Sequence, residues 1–465
     1  MLNEDNHETI SIFHTNDFHS HFANWPKIKR YIQSGKQRDR ALGDTVLTFD
    51  IGDFMDRFEP LTEATNGKAG VQFMNELNYD GVTIGNNEGL TNSKEQLNQL
   101  YQKANFDILL ANLKDPQTNS LPKWANEAKL IVTPQHTRIL VFGMTAPYSS
   151  TYPKLGWEVE DVNQTAERIL TKYEGQYDIC ILLSHLGLPT DRELAQKFPA
   201  INLILGGHTH HLLMEGELVN QTMLAAAQKW GNYVGHVTLT LDNHQITEQT
   251  VSVQEVAALP SEPVDLKEIN KTFSMGTALL SAQKVAQLDH PVTTQLIGDS
   301  EMVDLGLKAL QAKTKTQGAV INTGLFLKSL PAGIIDENQI HDVLPHAMQV
   351  MKVTLDGYNL WRLIQEMEKN RNFLLRYPQK GMGFRGKVFG ELHYQGIEYQ
   401  KATGKVLWHG EPLNPQQNYE VAMLDHYLYI PFFPTIQICG KNEIYFDENL
   451  RQVFAHYLSD QFPIK

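Results

Sequence analysis

The sequence predicts an α/β protein built from two domains. Three observations carry that expectation. The chain has 465 residues, more than one ordinary domain accommodates. Its first half alternates short aliphatic or β-branched runs with helix-compatible stretches. Its character then changes after Val256. At 42% hydrophobic and 20% charged, the composition is that of a chain with a core, neither disordered nor membrane-spanning.

Strands are expected at Ile10–His14, Val46–Ile51, Gly81–Ile84, Ile108–Ala111, Ile139–Met144, Ile179–Leu183 and Leu203–Leu205. Apolar residues on both faces of these runs imply sheets layered under helices. An alternating strand, Tyr233–Leu241, ends at the turn Asp242-Asn243-His244. Pro260, Ser261, Glu262 and Pro263 then break the pattern. Leu266, Ile269, Phe273 and Leu280 recur at helical spacing, which predicts a connecting helix as far as about Asp289. The expected domains are therefore 1–256, a connecting helix or linker over 257–290, and 291–465. Helices are expected in the last at Glu301–Ala312 and Gly357–Asn370, the latter with Leu360, Leu363, Ile364 and Met367 on one face.

Forty Lys plus Arg against fifty-three Asp plus Glu leave a formal charge of −13. Such a surface repels polyphosphate, so neither a nucleic-acid polymer nor an anionic membrane is an expected partner. A small phosphorylated substrate is compatible with it, because a local metal site overrides the global field. Two cysteines, Cys180 and Cys439, cannot make a disulfide framework or a Cys-rich zinc site, and Cys180 reads as a small core residue. The lead Met1 to Glu8 is polar and acidic, unlike a signal peptide. No stretch approaches the roughly 18 apolar residues of a spanning helix, so a cytoplasmic location is expected. His14 reads as a buried, hydrogen-bonded core residue. His21, His136, His244, His290, His393 and His456 read as surface residues, and His211 as facing away from His210.

The chemistry lies just past the strands. Asn16-Asp17-Phe18-His19 follows the first, Gly52-Asp53 the second, and Gly85-Asn86 the third. Ser184-His185 and Gly206-Gly207-His208-Thr209-His210 follow two later ones. Singly, Gly-Asp and Gly-Asn are turn dipeptides, and a histidine at a strand end is commonly structural. Together, five strands each deliver oxygen or imidazole ligands at the edge where α/β folds bind ligands. Asp17, His19, Asp53, Asn86, His185, His208 and His210 make seven ligands. If Asp53 bridges, two ions receive four each, with positions left for water and a substrate oxygen. Two divalent ions and two carboxylates leave a net positive site suited to phosphate. Nitrogen and oxygen donors without sulfur suit Mn²⁺, Zn²⁺, Fe²⁺ or Co²⁺ better than Mg²⁺ or Ca²⁺.

The run Asp-x-His, Gly-Asp, Gly-Asn, Ser-His and Gly-His-x-His closely resembles the dinuclear metallophosphoesterases. Phe13-His14-Thr15-Asn16-Asp17-Phe18-His19 is similar to the opening of their bacterial 5′-nucleotidase and UDP-sugar hydrolase family. Ala319 to Gly324, Leu330-Pro331-Ala332-Gly333 and Val343-Leu344-Pro345 resemble that family's C-terminal domain. The resemblance implies a four-layer α/β/β/α sandwich followed by a smaller α+β substrate domain. It implies one ion on Asp17, His19, Asp53 and His210 and a second on Asp53, Asn86, His185 and His208. It also implies a nucleoside pocket in the second domain, and hence a substrate that touches both domains.

Two motifs depart from the family. Its third motif reads Gly-Asn-His-Glu-Phe-Asp, with the His acting on the phosphoryl group and the Asp orienting it. Here it reads Gly85-Asn86-Asn87-Glu88-Gly89-Leu90, so both members of the dyad are lost together. Asn87 becomes the candidate catalytic residue, able to donate hydrogen bonds but not to shuttle a proton. The family's substrate-recognising Arg is Leu327 in the segment that begins at Asn322. Asn322, Arg385, Phe389 and Phe432 are the candidate substrate contacts, the two rings standing where the resemblance places base-stacking aromatics. The expected activity is release of phosphate from nucleoside 5′-phosphates or related small esters, by attack of a metal-bridging hydroxide. The alternatives are a cyclic-nucleotide phosphodiesterase, a UDP-sugar pyrophosphate hydrolase, or a nucleotide-binding sensor weakened in catalysis. The sequence leaves the oligomeric state open.

Overall fold

A computed structural model describes residues 7–381 and 383–465. Most of the polar lead, residues 1–6, lies outside the described residues. The chain divides into two compact units, Met1–Gly276 and Thr277–Lys465.

Unit 1 is built on two sheets. The first has seven strands in the order Gln245–Glu255, Tyr233–Asp242, His7–Thr15, Thr45–Asp50, Gly81–Val82, Ile108–Leu109 and Ala125–Asn126. From His7–Thr15 through to Ala125–Asn126 the pairing is parallel. The second has six, in the order Glu217–Val219, Thr222–Ala225, Leu203–Gly206, Ile179–His185, Arg138–Thr145 and Ala128–Val132. Alternation sorts each strand between two cores. Ile10, Ile12, Leu47 and Phe49 meet Ile139, Val141, Ile181 and Leu183 between the sheets. Leu140, Phe142, Cys180 and Leu182 point the other way, onto Val162, Ala166 and Ile169 of the helix Val162–Lys172 and Leu194 and Ala195 of Leu188–Lys197. On the outer face of the first sheet, Phe13 packs on Gly35 of the helix Trp25–Leu42, where a Cβ would lie 2.4 Å from the ring. These layers make the expected α/β/β/α sandwich.

His14 is fully buried, but both its ring nitrogens lack a partner among the described residues, contrary to the hydrogen-bonded residue expected. Its ring packs against Gly235, where a Cβ would lie 1.9 Å from Nε2, and burial lowers its pKa to about 3, so it is a neutral packing element.

The helix after the Pro-rich break runs Pro263–Ser281 and stops short of Asp289. Lys284–Leu288 is instead a strand, paired antiparallel with Gly333–Asp336. Leu266 and Phe273 of the helical stripe are exposed, while Leu280 is buried. Unit 2 centres on a five-stranded mixed sheet, in the order Leu392–Gln395, Gly318–Asn322, Asn418–Leu424, Gln349–Asp356 and Lys441–Asn449. The helices Glu301–Thr314 and Leu450–Gln461 cover one face, and Gly357–Leu374 covers the other through Leu360, Leu363, Ile364 and Met367. Among the described residues no helix is long and apolar enough to cross a membrane.

Candidate metal centre

The sequence folds locally to the site because two ligand-bearing turns zip together. Asp17 N–H donates to Gly52 O (3.0 Å), His19 N–H to Asp53 O (2.9 Å) and Ser20 N–H to Phe54 O (2.8 Å). Gly52, at φ +86°, leaves no room for a Cβ, which would lie 2.3 Å from Gly85 N. A Cβ on Gly85 would lie 2.0 Å from Asp53 Oδ1. The glycines before Asp53 and Asn86 therefore exist for close approach of two strand ends.

All seven residues predicted as ligands come together within unit 1. His19 Nε2 lies 3.1 Å from His210 Nε2, 3.8 Å from Asp17 Oδ1 and 3.9 Å from Asp53 Oδ2. His210 Nε2 is 3.4 Å from Asp17 Oδ1, and His185 Nε2 is 3.5 Å from Asp53 Oδ2. Asn86 Oδ1 is 2.8 Å from His208 Nδ1 and 3.4 Å from His185 Nε2. Asp17, His19 and His210 bring ligand atoms within 4.8 Å of one another, as do Asp17, Asp53 and His185. This is a candidate metal site of the Asp and His type found in dinuclear metallophosphoesterases.

The supports are fixed from below. His185 Nδ1 meets Ile51 O at 2.7 Å, which leaves Nε2 for the site. The His208 N–H donates to both Asp17 carboxylate oxygens at 3.1 Å, and Asn16 Nδ2 donates to Asp17 Oδ2 at 2.8 Å. Burial works against a proton on His185, but the Asp53 charge, its hydrogen bond and Asp17 outweigh it and raise the pKa to about 10. Asp53 is held below the usual carboxylate range, since His185 and His19 overcome the effect of its own burial. Burial, and then the charge of His185, lowers His208. The donor set of imidazoles, carboxylates and one amide oxygen fits a divalent ion, which would balance the carboxylate charge.

Asn87 is more committed than a free donor. Its N–H donates to Asp53 Oδ1 (2.7 Å), and its Nδ2 donates to Met55 O (2.8 Å) and lies 3.0 Å from His19 Nδ1. Its Oδ1 accepts from Asn86 Nδ2 (3.2 Å). Leu90 is partly buried, three residues further on in the short helix Asn86–Thr91. Sequence reasoning missed Glu88 as a working residue. Its buried carboxylate accepts from the backbone N–H of Asp53 (2.9 Å), Gly85 (2.8 Å) and Met55 (3.1 Å). Burial, and then the Asp53 charge, raises it to about 7. The one available signal was an acidic residue three positions into a helix after Gly85, where it reaches back to the backbone. Among the other histidines, His21 stacks on Trp230, and His211 meets Thr209 Oγ1 at 2.8 Å.

The candidate substrate residues lie in unit 2. Asn322 is fully buried, donating to Phe389 O (2.6 Å) and accepting from the Tyr427 hydroxyl (2.8 Å). Phe389 is a core ring packed among Tyr427, Phe433 and His426, with no exposed face. Phe432 is half-buried in a cluster with Phe373 and Tyr377 (ring centroids 5.3 and 5.0 Å), of which Phe373 is exposed. Arg385 is half-buried, its backbone N–H donating to His346 Nδ1 (2.9 Å).

Comparison with known proteins agrees with this geometry. Residues 10–212 match the calcineurin-like phosphoesterase family, and residues 282–429 match the 5′-nucleotidase C-terminal domain. The protein named uncharacterized metallophosphoesterase YunD, from Bacillus subtilis, is 36% identical over 97% of this chain and 99% of its own. UshA of Escherichia coli is 24% identical over 91% of this chain and 86% of its own. Among solved structures, Haemophilus influenzae NAD nucleotidase superposes with a TM-score of 0.65 at 16% identity, covering 98% of this chain and 97% of its own. The 5′-nucleotidase precursor of Thermus thermophilus does so with a TM-score of 0.59 at 19% identity, over 98% and 97%. The chain belongs to the metallophosphoesterases of the 5′-nucleotidase family.

Proposed function

We propose that the protein is a metal-dependent phosphohydrolase that releases phosphate from nucleoside 5′-phosphates or related small phosphate esters. The observation that supports this reading is the convergence of seven nitrogen and oxygen donors at the strand ends of unit 1, with Asp53 between the two halves. Its Oδ2 is 3.9 Å from His19 Nε2 and 3.5 Å from His185 Nε2. Asp17, His19 and His210 would hold one divalent cation and Asn86, His185 and His208 another, with Asp53 shared. Mn²⁺, Zn²⁺, Fe²⁺ and Co²⁺ suit those donors. Bound cations would supply Lewis acidity toward a phosphoryl oxygen and neutralise charge developing there.

The residues of the chain do the rest. Asp17 and Asp53 hold the imidazoles, Ile51 O orients the His185 ring, and Glu88 fixes the backbone that carries Asp53. In unit 2 we assign nucleoside contact to Phe432 rather than Phe389, because only the former has ring surface outside the core. One observation favours a slower enzyme or a sensor as the second reading. The Asn87 amide hydrogens face Met55 O and His19 Nδ1, and an amide in that position carries no charge and shuttles no proton to a phosphoryl group. A panel of nucleoside monophosphates, cyclic nucleotides, UDP-sugars and simple phosphate esters, assayed with Mn²⁺, separates the readings. Phosphate release from monophosphates is expected. Nucleotide binding without release from any compound would refute the hydrolase and leave the sensor.

A further inference from the structure

The two nitrogens of His19 face different company. Nε2 points at His210, Asp17 and Asp53. Nδ1 lies 3.0 Å from Asn87 Nδ2 and 3.9 Å from Asp56 Oδ2. A neutral imidazole carries a single N–H, and an amide nitrogen only donates. The contact with Asn87 therefore requires a bare Nδ1, with the ring hydrogen on Nε2. A ring that offers its Nε2 lone pair to a cation is the opposite tautomer, with the hydrogen on Nδ1. That N–H confronts the Asn87 amide and needs an acceptor.

Turning the Asn87 amide over does not provide one. Its Nδ2 also donates to Met55 O, and its Oδ1 accepts from Asn86 Nδ2. Exchange would set oxygen against oxygen and nitrogen against nitrogen. Asp56 is the acceptor at hand. Its N–H donates to Ser20 Oγ (2.8 Å) and its Oδ1 accepts from Phe58 N–H (2.9 Å), which turns Oδ2 toward the ring. The backbone bonds that join 17–20 to 52–54 hold this carboxylate against His19. The separation exceeds a hydrogen bond by about 1 Å, a gap that a modest turn of the imidazole closes while carrying Nδ1 away from Asn87.

We propose that Asp56 and Asn87 are competing partners of His19 Nδ1, Asn87 serving the metal-free ring and Asp56 the ring whose Nε2 is a ligand. Asp56 is then a positioning residue for the metal centre, and Asn87 a brake on loading. The inference rests on His19 being a metal ligand, as in the function proposed above.

The test is calorimetric titration of metal-free protein with Mn²⁺ or Co²⁺ alone, with the Co²⁺ visible spectrum as a second readout. Asp56→Ala and Asp56→Asn are expected to bind about 10–100-fold more weakly, the usual effect of removing the carboxylate behind a ligating histidine. Asn87→Ala is expected to bind as well as wild type or up to about tenfold more tightly, the worth of one hydrogen bond to the unloaded state. A general structural role would weaken both sites alike. Affinity in Asp56→Ala within about twofold of wild type, far inside the expected range, overturns the inference. So does Asn87→Ala weakening binding as much as Asp56→Ala. If Asp56→Ala does not fold, Asp56→Asn, which keeps an oxygen for Phe58 N–H, carries the test. His19→Ala separates the two levels. Unchanged binding in that variant refutes the ligand assignment itself, whereas weakened binding there with unchanged binding in the Asp56 variants refutes only the positioning role.

Discussion

Glu88 offers the sharpest test of how the site is held. Its carboxylate is almost fully buried and accepts three backbone hydrogen bonds, from Asp53, Gly85 and Met55. Glu88→Ala leaves three buried N–H groups without an acceptor, at about 1–3 kcal/mol each, or about 3–9 kcal/mol together. Total stability of a domain is about 5–15 kcal/mol, so the variant should be marginal or unfolded in unit 1. Glu88→Gln keeps the volume and one acceptor oxygen. With that oxygen placed where Oε2 now serves Asp53 and Gly85, only Met55 N–H is orphaned, at about 1–3 kcal/mol. The graded pair is the point, since loss of volume and loss of acceptors are read separately. Two units need not unfold together, so the assay is hydrogen exchange of amides in residues 52–56 and 84–90, alongside denaturant unfolding and metal content. Protection should fall slightly in Gln and collapse in Ala, with metal content following. Wild-type exchange in this segment of Glu88→Ala would refute the reasoning.

Three further outcomes are expected. Asp53→Asn should lower the metal content of protein purified without chelator from two ions per chain to one or none, by elemental analysis; two ions retained would refute the shared ligand. The Asp50 carboxyl, raised to about 8 chiefly by burial, stays protonated in the folded state where an unfolded Asp has ionised. That group's stabilisation is complete below about pH 4 and is lost as pH rises toward 8, so Asp50→Asn should flatten the fall in melting temperature of metal-free protein over that window; parallel curves would refute it. Phe389→Ala should destabilise unit 2 by about 3–5 kcal/mol, while Phe432→Ala should leave stability nearly unchanged and raise KM for nucleotides; the reverse pattern, by thermal melts and steady-state kinetics, would restore Phe389 as the ring in contact with substrate.

What the sequence made legible follows from locality. Each ligand stands just past an apolar run, and a strand's end is readable from its own residues, so Asp17, His19, Asp53, Asn86, His185, His208 and His210 could be named and the sandwich expected. What it concealed depends on partners distant along the chain. Lys284–Leu288 continues a helical-looking pattern but pairs with Gly333–Asp336, and that pairing decides its conformation. Phe389 and Phe432 look alike as isolated aromatics. One is enclosed by Tyr427 and Phe433, and the other meets Phe373 at the end of a helix. Asp56 matters because residues 17–20 zip onto 52–54, and Glu88 because residues 53–55 lie against the start of its own helix, and neither contact between distant segments is announced by either segment alone.

The backbone of the ligands carries the same logic further. Asp17, His19, Asp53, His208 and His210 all sit at positive φ, between 47° and 70°. Non-glycine residues there cost about 1–3 kcal/mol each and persist only where surroundings over-determine them. The surroundings are visible: Gly52 O accepts from Asp17, Asp53 O from His19, the Asp17 carboxylate from His208, and Asp17 O from Trp230 N–H. Strain is thus concentrated on the residues that face the centre and is offset by the hydrogen bonds that join the turns carrying them.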